Sequence, residues 1–164
     1  MSSKIYILTG KIKSGKTTKI FKWACSQKNI GGILQPVVNG KRSIYSINEK
    51  SLIQLEINEE EKSKVGDDKI IQIGNYFFLK ESFDKARKIL IDCFNGNFDW
   101  LIVDEIGPME LEDKGLEPSI SFILKNFENF NGNIVLVIRD KILEEVIKKY
   151  NLVGKFAYFD EMLL

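Results

Sequence analysis

The 164-residue chain carries 24 basic and 23 acidic side chains, a net charge of +1 at pH 7. That balance leaves no electrostatic footprint for nucleic acid or an anionic membrane surface, and no apolar run approaches the roughly 18 residues of a membrane span. Histidine is absent, which excludes imidazole catalysis and imidazole metal ligation.

The length suits one domain, residues 1–164. Two cysteines, Cys25 and Cys93, fall in helix-like stretches, where a buried reduced pair is expected rather than a disulfide. The first strand starts close behind Met1, leaving no room for a signal peptide, so the chain reads as a soluble cytoplasmic monomer.

The run Ile5-Tyr6-Ile7-Leu8 predicts a first strand over about Lys4–Thr9. It leads directly into Gly10-Lys11-Ile12-Lys13-Ser14-Gly15-Lys16-Thr17, which fits G-x-x-x-x-G-K-[ST], the phosphate-binding loop. A helix follows from Lys16 to about Gln27, with Ile20, Phe21, Trp23 and Ala24 facing the sheet. In this context the glycines let the backbone curl around a phosphate. The N–H groups of the loop and of the helix start, through Thr18, then point at the anion. Lys16 can reach the β/γ oxygens, and the Thr17 hydroxyl can hold Mg²⁺. Lys11 and Lys13 occupy variable positions, where their backbone matters more than their side chains.

Asn29 to Gly32 predicts an end to that helix. Two β-rich runs then flank Asn39-Gly40, a strong two-residue hairpin signal, with Pro36 marking an edge or irregular position. Ser51–Ile57 predicts another strand, Asn58–Lys69 a solvated charged loop, and Lys69–Ile73 with Tyr76–Leu79 a second hairpin around Gly74-Asn75. Residues 32–79 therefore read as an antiparallel β insertion. A helix over Ser82–Phe94 with Ser82 as N-cap comes next, then the buried, parallel-type strand Asp99–Val103. Ile106–Gly115 reads as a loop and Glu117–Phe130 as a helix. Asn133–Ile138 is a strand ending at Arg139-Asp140, Lys141–Tyr150 a helix, and Phe156–Phe159 a last strand. Alternation of strands and helices in the first and last thirds predicts an α/β fold with a mostly parallel sheet flanked by helices.

Leu101-Ile102-Val103-Asp104-Glu105 is an apolar strand ending in two acids. Beside a phosphate-binding loop, Asp104 fits a Walker B carboxylate that helps hold Mg²⁺. Glu105 can orient or deprotonate a water for in-line attack. In an extended chain the two side chains point to opposite faces, so both reach one site only if the backbone bends there.

The loop Gly10–Thr17, the string Val103-Asp104-Glu105-Ile106-Gly107-Pro108-Met109-Glu110-Leu111 and the Gly32…Gly40-Lys41-Arg42 hairpin together resemble the small THEP1-type nucleoside-triphosphatases. The resemblance spans nearly the whole chain. It implies a RecA-like P-loop core and Mg²⁺-dependent hydrolysis of nucleoside triphosphates with relaxed base choice. It places Lys16 and Thr17 at the phosphates and metal, Asp104 at the metal and Glu105 at the water. In a RecA-like order the strand ending at Arg139 lies between the P-loop strand and the Walker B strand, which puts Arg139 in reach of the γ-phosphate. Arg42 reads instead as a solvated hairpin charge and Arg87 as surface, and Glu110 has no assignable chemistry. Two other readings share this core: a nucleoside or small-molecule kinase, and a nucleotide-dependent switch. The chain has only three arginines, which disfavours the Arg-rich lid that many such kinases use. A nucleoside triphosphate is the expected partner, with no nucleic acid and no membrane.

Overall fold

In the computed structural model, which describes residues 4–159, β1 (Ile5–Gly10) runs into the loop and α1 (Lys16–Ser26). After α1 come β2 (Ile30–Leu34), the short β3 (Val37–Val38), β4 (Lys41–Ser46), β5 (Ser51–Gln54), β6 (Glu56–Ile57) and α2 (Glu59–Val65). The hairpin β7 (Ile70–Ile73) and β8 (Tyr76–Leu79) leads to α3 (Lys80–Phe94), β9 (Trp100–Ile106) and α4 (Pro108–Leu111). The chain closes with α5 (Ser119–Lys125), β10 (Asn133–Arg139), α6 (Leu143–Lys149) and β11 (Phe156–Tyr158).

The main sheet has the order β11-β1-β10-β9-β2-β4-β3, with β5 on β4. The pairs from β11 to β2 are parallel and those around β4 antiparallel. β10 lies between the P-loop strand and β9, as a RecA-like order requires. Of the five parallel strands, β1, β2, β9 and β10 are rich in Ile, Val and Leu because helices cover both faces, whereas the edge strand β11 is not. One face packs Ile20, Trp23 and Ala24 of α1 on Ile102, Val135 and Val137. The other packs Phe83, Ala86, Leu90 and Cys93 of α3, with Ile120 and Ile123 of α5, on Leu101, Val103 and Leu136. Among the described residues no helix is long and apolar enough to cross a membrane.

Gly31 and Gly32 do not end the first helix. They lie inside β2, which pairs in parallel with β9 on one edge, and the antiparallel part begins on its other edge, where Ile33 and Leu34 pair with β4. The reason is close packing across distant chain. A Cβ on Gly31 would meet Cys93 Sγ at 2.9 Å, and one on Gly32, at φ +111°, would overlap the Ile102 backbone. The hairpin at Asn39-Gly40 forms as predicted: both residues have positive φ, 51° and 75°, and Val38 pairs with Lys41 and Val37 with Arg42.

The insertion is divided between two sheets. β5 stays on β4, while β6, β8 and β7 make a three-stranded sheet of their own, with buried Leu55 at the crossing. Asn58–Lys69 is not a loop. Asn58 Oδ1 accepts from the Glu61 N–H at 2.8 Å and Glu61 Oε2 accepts from the Asn58 N–H at 2.9 Å, a capping box that starts α2 although none of its residues is buried. Ser82 is not a cap either; α3 begins at Lys80, and the Ser82 hydroxyl donates to the Gln54 carbonyl at 2.5 Å. Part of the segment Ile106–Gly115 is α4, and the helix expected to run to Phe130 stops at Lys125. The cysteines are not a buried pair: Cys93 is buried, its thiol pushed up to about 11 by burial, and Cys25 is exposed.

Gly32→Ala is expected to destabilise the fold by about 3 kcal/mol or more, since left-handed strain and backbone overlap add. A melting temperature equal to wild type would contradict this packing of β2 on β9.

Candidate functional site

Ile12, Lys13, Ser14, Gly15, Lys16, Thr17 and Thr18 wall one side of a cavity of about 360 Å³. Gln35, Pro36, Val37 and Arg42 wall the opposite side, and Glu105 and Arg139 reach it from the carboxyl ends of β9 and β10. Ligands of such sheets bind outside these strand ends. Four basic side chains and one carboxylate line the space, the balance an anionic ligand needs.

The loop curls through left-handed backbone at Lys13, φ 57°, and at Gly15, φ 80°. Gly15 caps α1 without a side-chain hydrogen bond, and the first turn has no acid, so its N–H groups remain available to an anion. Gly10 and Lys11 stand behind the wall. Their carbonyls accept from Lys16 Nζ at 3.1 and 2.6 Å, and Ser14 Oγ lies 3.3 Å from the same ammonium. Lys16 is thereby held inside the curve of the loop.

Asp104 lies fully buried beneath the cavity wall. Its Oδ2 accepts from the Thr17 hydroxyl at 2.9 Å and from the Gln35 N–H at 3.0 Å, while the Gln35 side-chain amide donates to the Asp104 carbonyl at 3.1 Å. Burial pushes the carboxyl up to about 6, and the Gln35 N–H and Thr17 hydroxyl oppose that rise. Oδ1 has no hydrogen-bond partner. A buried carboxylate oxygen without a partner, beside a hydroxyl on the P-loop helix, suits a hard cation. No cluster of three or more His, Cys, Asp or Glu exists among the described residues. Mg²⁺ fits that donor set, because it keeps most of its waters and takes one or two protein oxygens plus phosphate.

Glu105 has φ 62°. The register of β9 on β10 shifts there: Val103 pairs with Leu136, but Ile106 pairs with Ile138. This is the bend that two adjacent acids need in order to serve one site. Arg139 grips the carboxylate with two nitrogens, Nε to Oε1 at 3.3 Å and Nη2 to Oε2 at 3.2 Å. Arg42 Nη1 lies 3.2 Å from Oε2. Arg42 is therefore not a solvated hairpin charge but part of the cavity. Arg87 is not simply surface either: it donates to the Gly115 carbonyl at 2.5 Å and pairs with Asp84.

Sequence reasoning missed Gln35 as well as Arg42. The only signal for Arg42 was the Asn39-Gly40 turn, which sets it opposite Val37, and nothing local told which sheet edge the hairpin would meet. Glu110 also has a role that its string did not reveal. It is 2% exposed and accepts from the Gly107 N–H at 2.8 Å and the Leu116 N–H at 3.0 Å, clamping the turn after Glu105. Burial raises its carboxyl to about 7 against those two bonds.

A profile of the family described as NTPase matches residues 5–160. The chain belongs to the NTPase family. Nucleoside-triphosphatase THEP1 of Methanocaldococcus jannaschii is 28% identical over 166 residues, covering 87% of this chain and 94% of that protein. No solved structure gives a significant match. Membership of the family makes the chain an enzyme, an NTP hydrolase on a P-loop fold, and P-loop NTPases generally use Mg²⁺.

The raised Glu110 carboxyl predicts a pH dependence of stability. Between pH 4.5 and about 7 the unfolded chain has released a proton that the native state still holds. Stability therefore falls as pH rises through that window, by about 3 kcal/mol when complete. Glu110→Gln removes this slope but leaves one N–H of the turn without an acceptor, at a cost of about 1–3 kcal/mol. The stability advantage of wild type over Glu110→Gln, from urea unfolding, should shrink by about 3 kcal/mol between pH 4.5 and 7.5. A constant gap would show that Glu110 is ionised throughout.

Proposed function

We propose that the chain hydrolyses nucleoside 5′-triphosphates to diphosphate and phosphate in a Mg²⁺-dependent reaction, slowly and with little preference for the base. The observation that carries this reading is the buried Asp104, with its unpartnered oxygen, bonded to Thr17 directly below a left-handed Glu105. The M. jannaschii relative, a nucleoside-triphosphatase by name, supports the reaction class.

On this reading the backbone of Gly10–Thr18 cradles the phosphates, and Lys16 Nζ exchanges its carbonyl partners for β/γ oxygens. Thr17 and Asp104 would hold Mg²⁺, which supplies positive charge against those oxygens. Glu105 keeps a water in line with the γ-phosphorus and takes one of its protons. As the new O–P bond forms, the bridging P–O bond breaks and its electron pair stays with the diphosphate. Arg139 orients Glu105 by its two-nitrogen grip and stands at the γ-phosphoryl end. The cavity is lined by the phosphate loop and by Arg42, Arg139 and Glu105, a set of groups suited to phosphate rather than to a base edge, which supports relaxed base choice.

The test is phosphate release from each common NTP with Mg²⁺ and no acceptor. Release from several bases, abolished by EDTA, is expected. Glu105→Gln should keep NTP binding and cut release by roughly 10²–10⁴-fold, the scale for losing an acid–base group. Release at the wild-type rate, or release in wild type only when an acceptor alcohol is added, would end the hydrolase reading. Arg139→Ala should lower kcat more than it weakens diphosphate binding, because its role is tied to the γ-phosphoryl group; an unchanged kcat would return Arg139 to a structural part.

A further inference from the structure

We propose that Arg42, carried into the cavity on the antiparallel hairpin, is a second catalytic arginine, and that it meets the charge of the γ-phosphoryl oxygens directly. The inference rests on the hydrolase reading above and assigns to the insertion a part in that chemistry.

Two guanidinium groups converge on one carboxylate, and they do so unequally. Arg139 engages both oxygens of Glu105 with Nε and Nη2. Arg42 makes one contact, Nη1 to Oε2 at 3.2 Å. A guanidinium has five N–H donors in a rigid fork suited to phosphate, and no other side-chain partner of Arg42 exists among the described residues. One carboxylate balances one guanidinium. The second is a surplus cation facing the cavity that Lys16 and Thr17 also line. The complement of that surplus is an anion brought in by the ligand.

The backbone beneath Arg42 is braced on three sides. Its N–H donates to Glu56 Oε2 at 2.9 Å, and the Ser43 N–H donates to the Pro36 carbonyl at 2.9 Å. Next to it, Lys41 Nζ holds Glu61 Oε2 at 2.6 Å, and Glu61 is the acid of the α2 capping box. The side chain itself is 30% exposed. A fixed stem whose head is held by a single contact suits electrostatic stabilisation, because only the head has to move at the moment of reaction.

The γ-phosphoryl oxygens compete with Glu105 for this head. When Arg42 turns to them, Glu105 keeps Arg139 as its orienting partner. Arg42 acts as a cation throughout and exchanges no proton. The water proton goes to Glu105, and the electron pair of the broken P–O bond goes to the diphosphate.

Methylanthraniloyl-ADP with Mg²⁺ and aluminium fluoride, which mimics the transferring phosphoryl group, separates this role from a structural one. Arg42→Ala should bind methylanthraniloyl-ADP alone within about threefold of wild type, yet lose the tightening by aluminium fluoride and about a thousandfold in phosphate release, the low side of the arginine-finger scale. Guanidinium chloride at millimolar concentration should restore part of that turnover, and Arg42→Lys should fall between. Should Arg42→Ala not fold, Arg42→Gln is measured in the same way. Turnover and aluminium fluoride response both at wild-type level would overturn the proposal. So would equal losses of ADP and ADP–aluminium fluoride affinity together with a lowered melting temperature, which would make Arg42 a brace. If wild type releases phosphate from no NTP, the hydrolase reading itself has failed, a result distinct from an active wild type matched by its Arg42 variant.

Discussion

The carboxylate of Asp104 is the point on which the site depends. It draws together three segments far apart in the chain: the P-loop helix through Thr17, the end of β2 through Gln35, and its own strand β9. A fully buried carboxylate loses its hydration and survives as an ion only with close partners. Two donors reach Oδ2 and none reaches Oδ1, and burial outweighs them to push the carboxyl up to about 6. The same bonds decide where the hairpin leaves the core, because Gln35 is followed at once by Pro36 and β3.

The second constraint is geometric. Adjacent residues on a strand face opposite ways, so on regular backbone Glu105 would point away from the side on which Asp104 meets Thr17. The left-handed turn at Glu105 and the skipped register against β10 resolve this, at a cost of about 1–2 kcal/mol for an L residue. Glu110 then clamps the following turn through Gly107 and Leu116. The V-D-E-I-G-P-M-E-L string is thus one device: a buried carboxylate, a bend, a carboxylate facing the cavity and a buried clamp.

The insertion has a position that its sequence only hinted at. β2 is shared: on one edge it is a parallel core strand beside β9, and on the other it pairs antiparallel with β4. A peripheral hairpin is thereby delivered to the carboxyl edge of the core sheet, with Arg42 beside Glu105. Side chains that address a ligand are commonly borne on such excursions, while the sheet keeps them in register.

Local signals in the sequence determined much of this protein. The glycine spacing of Gly10–Thr17, the apolar strand before Asp104-Glu105 and the Asn39-Gly40 turn each depend on residues close in the chain, and each formed where it was expected. The strand-helix alternation likewise predicted the parallel core, and the family resemblance implied the place of β10. What the tertiary structure alone decided involves partners far away in sequence. Gly31 and Gly32 look like a helix terminus until Cys93 and Ile102 pack against them. Gln35 looks inert until β2 ends beside Asp104, and Arg42 looks solvated until the hairpin meets the end of β9. The helix α2 escaped notice for a different reason: a capping box starts it, but with no buried face it lacks the apolar periodicity that announces a helix. Periodicity and turn chemistry report on neighbours within a few residues, whereas which strand edges meet is set by packing of the whole chain, and that packing brought Arg42, Glu105 and Arg139 together.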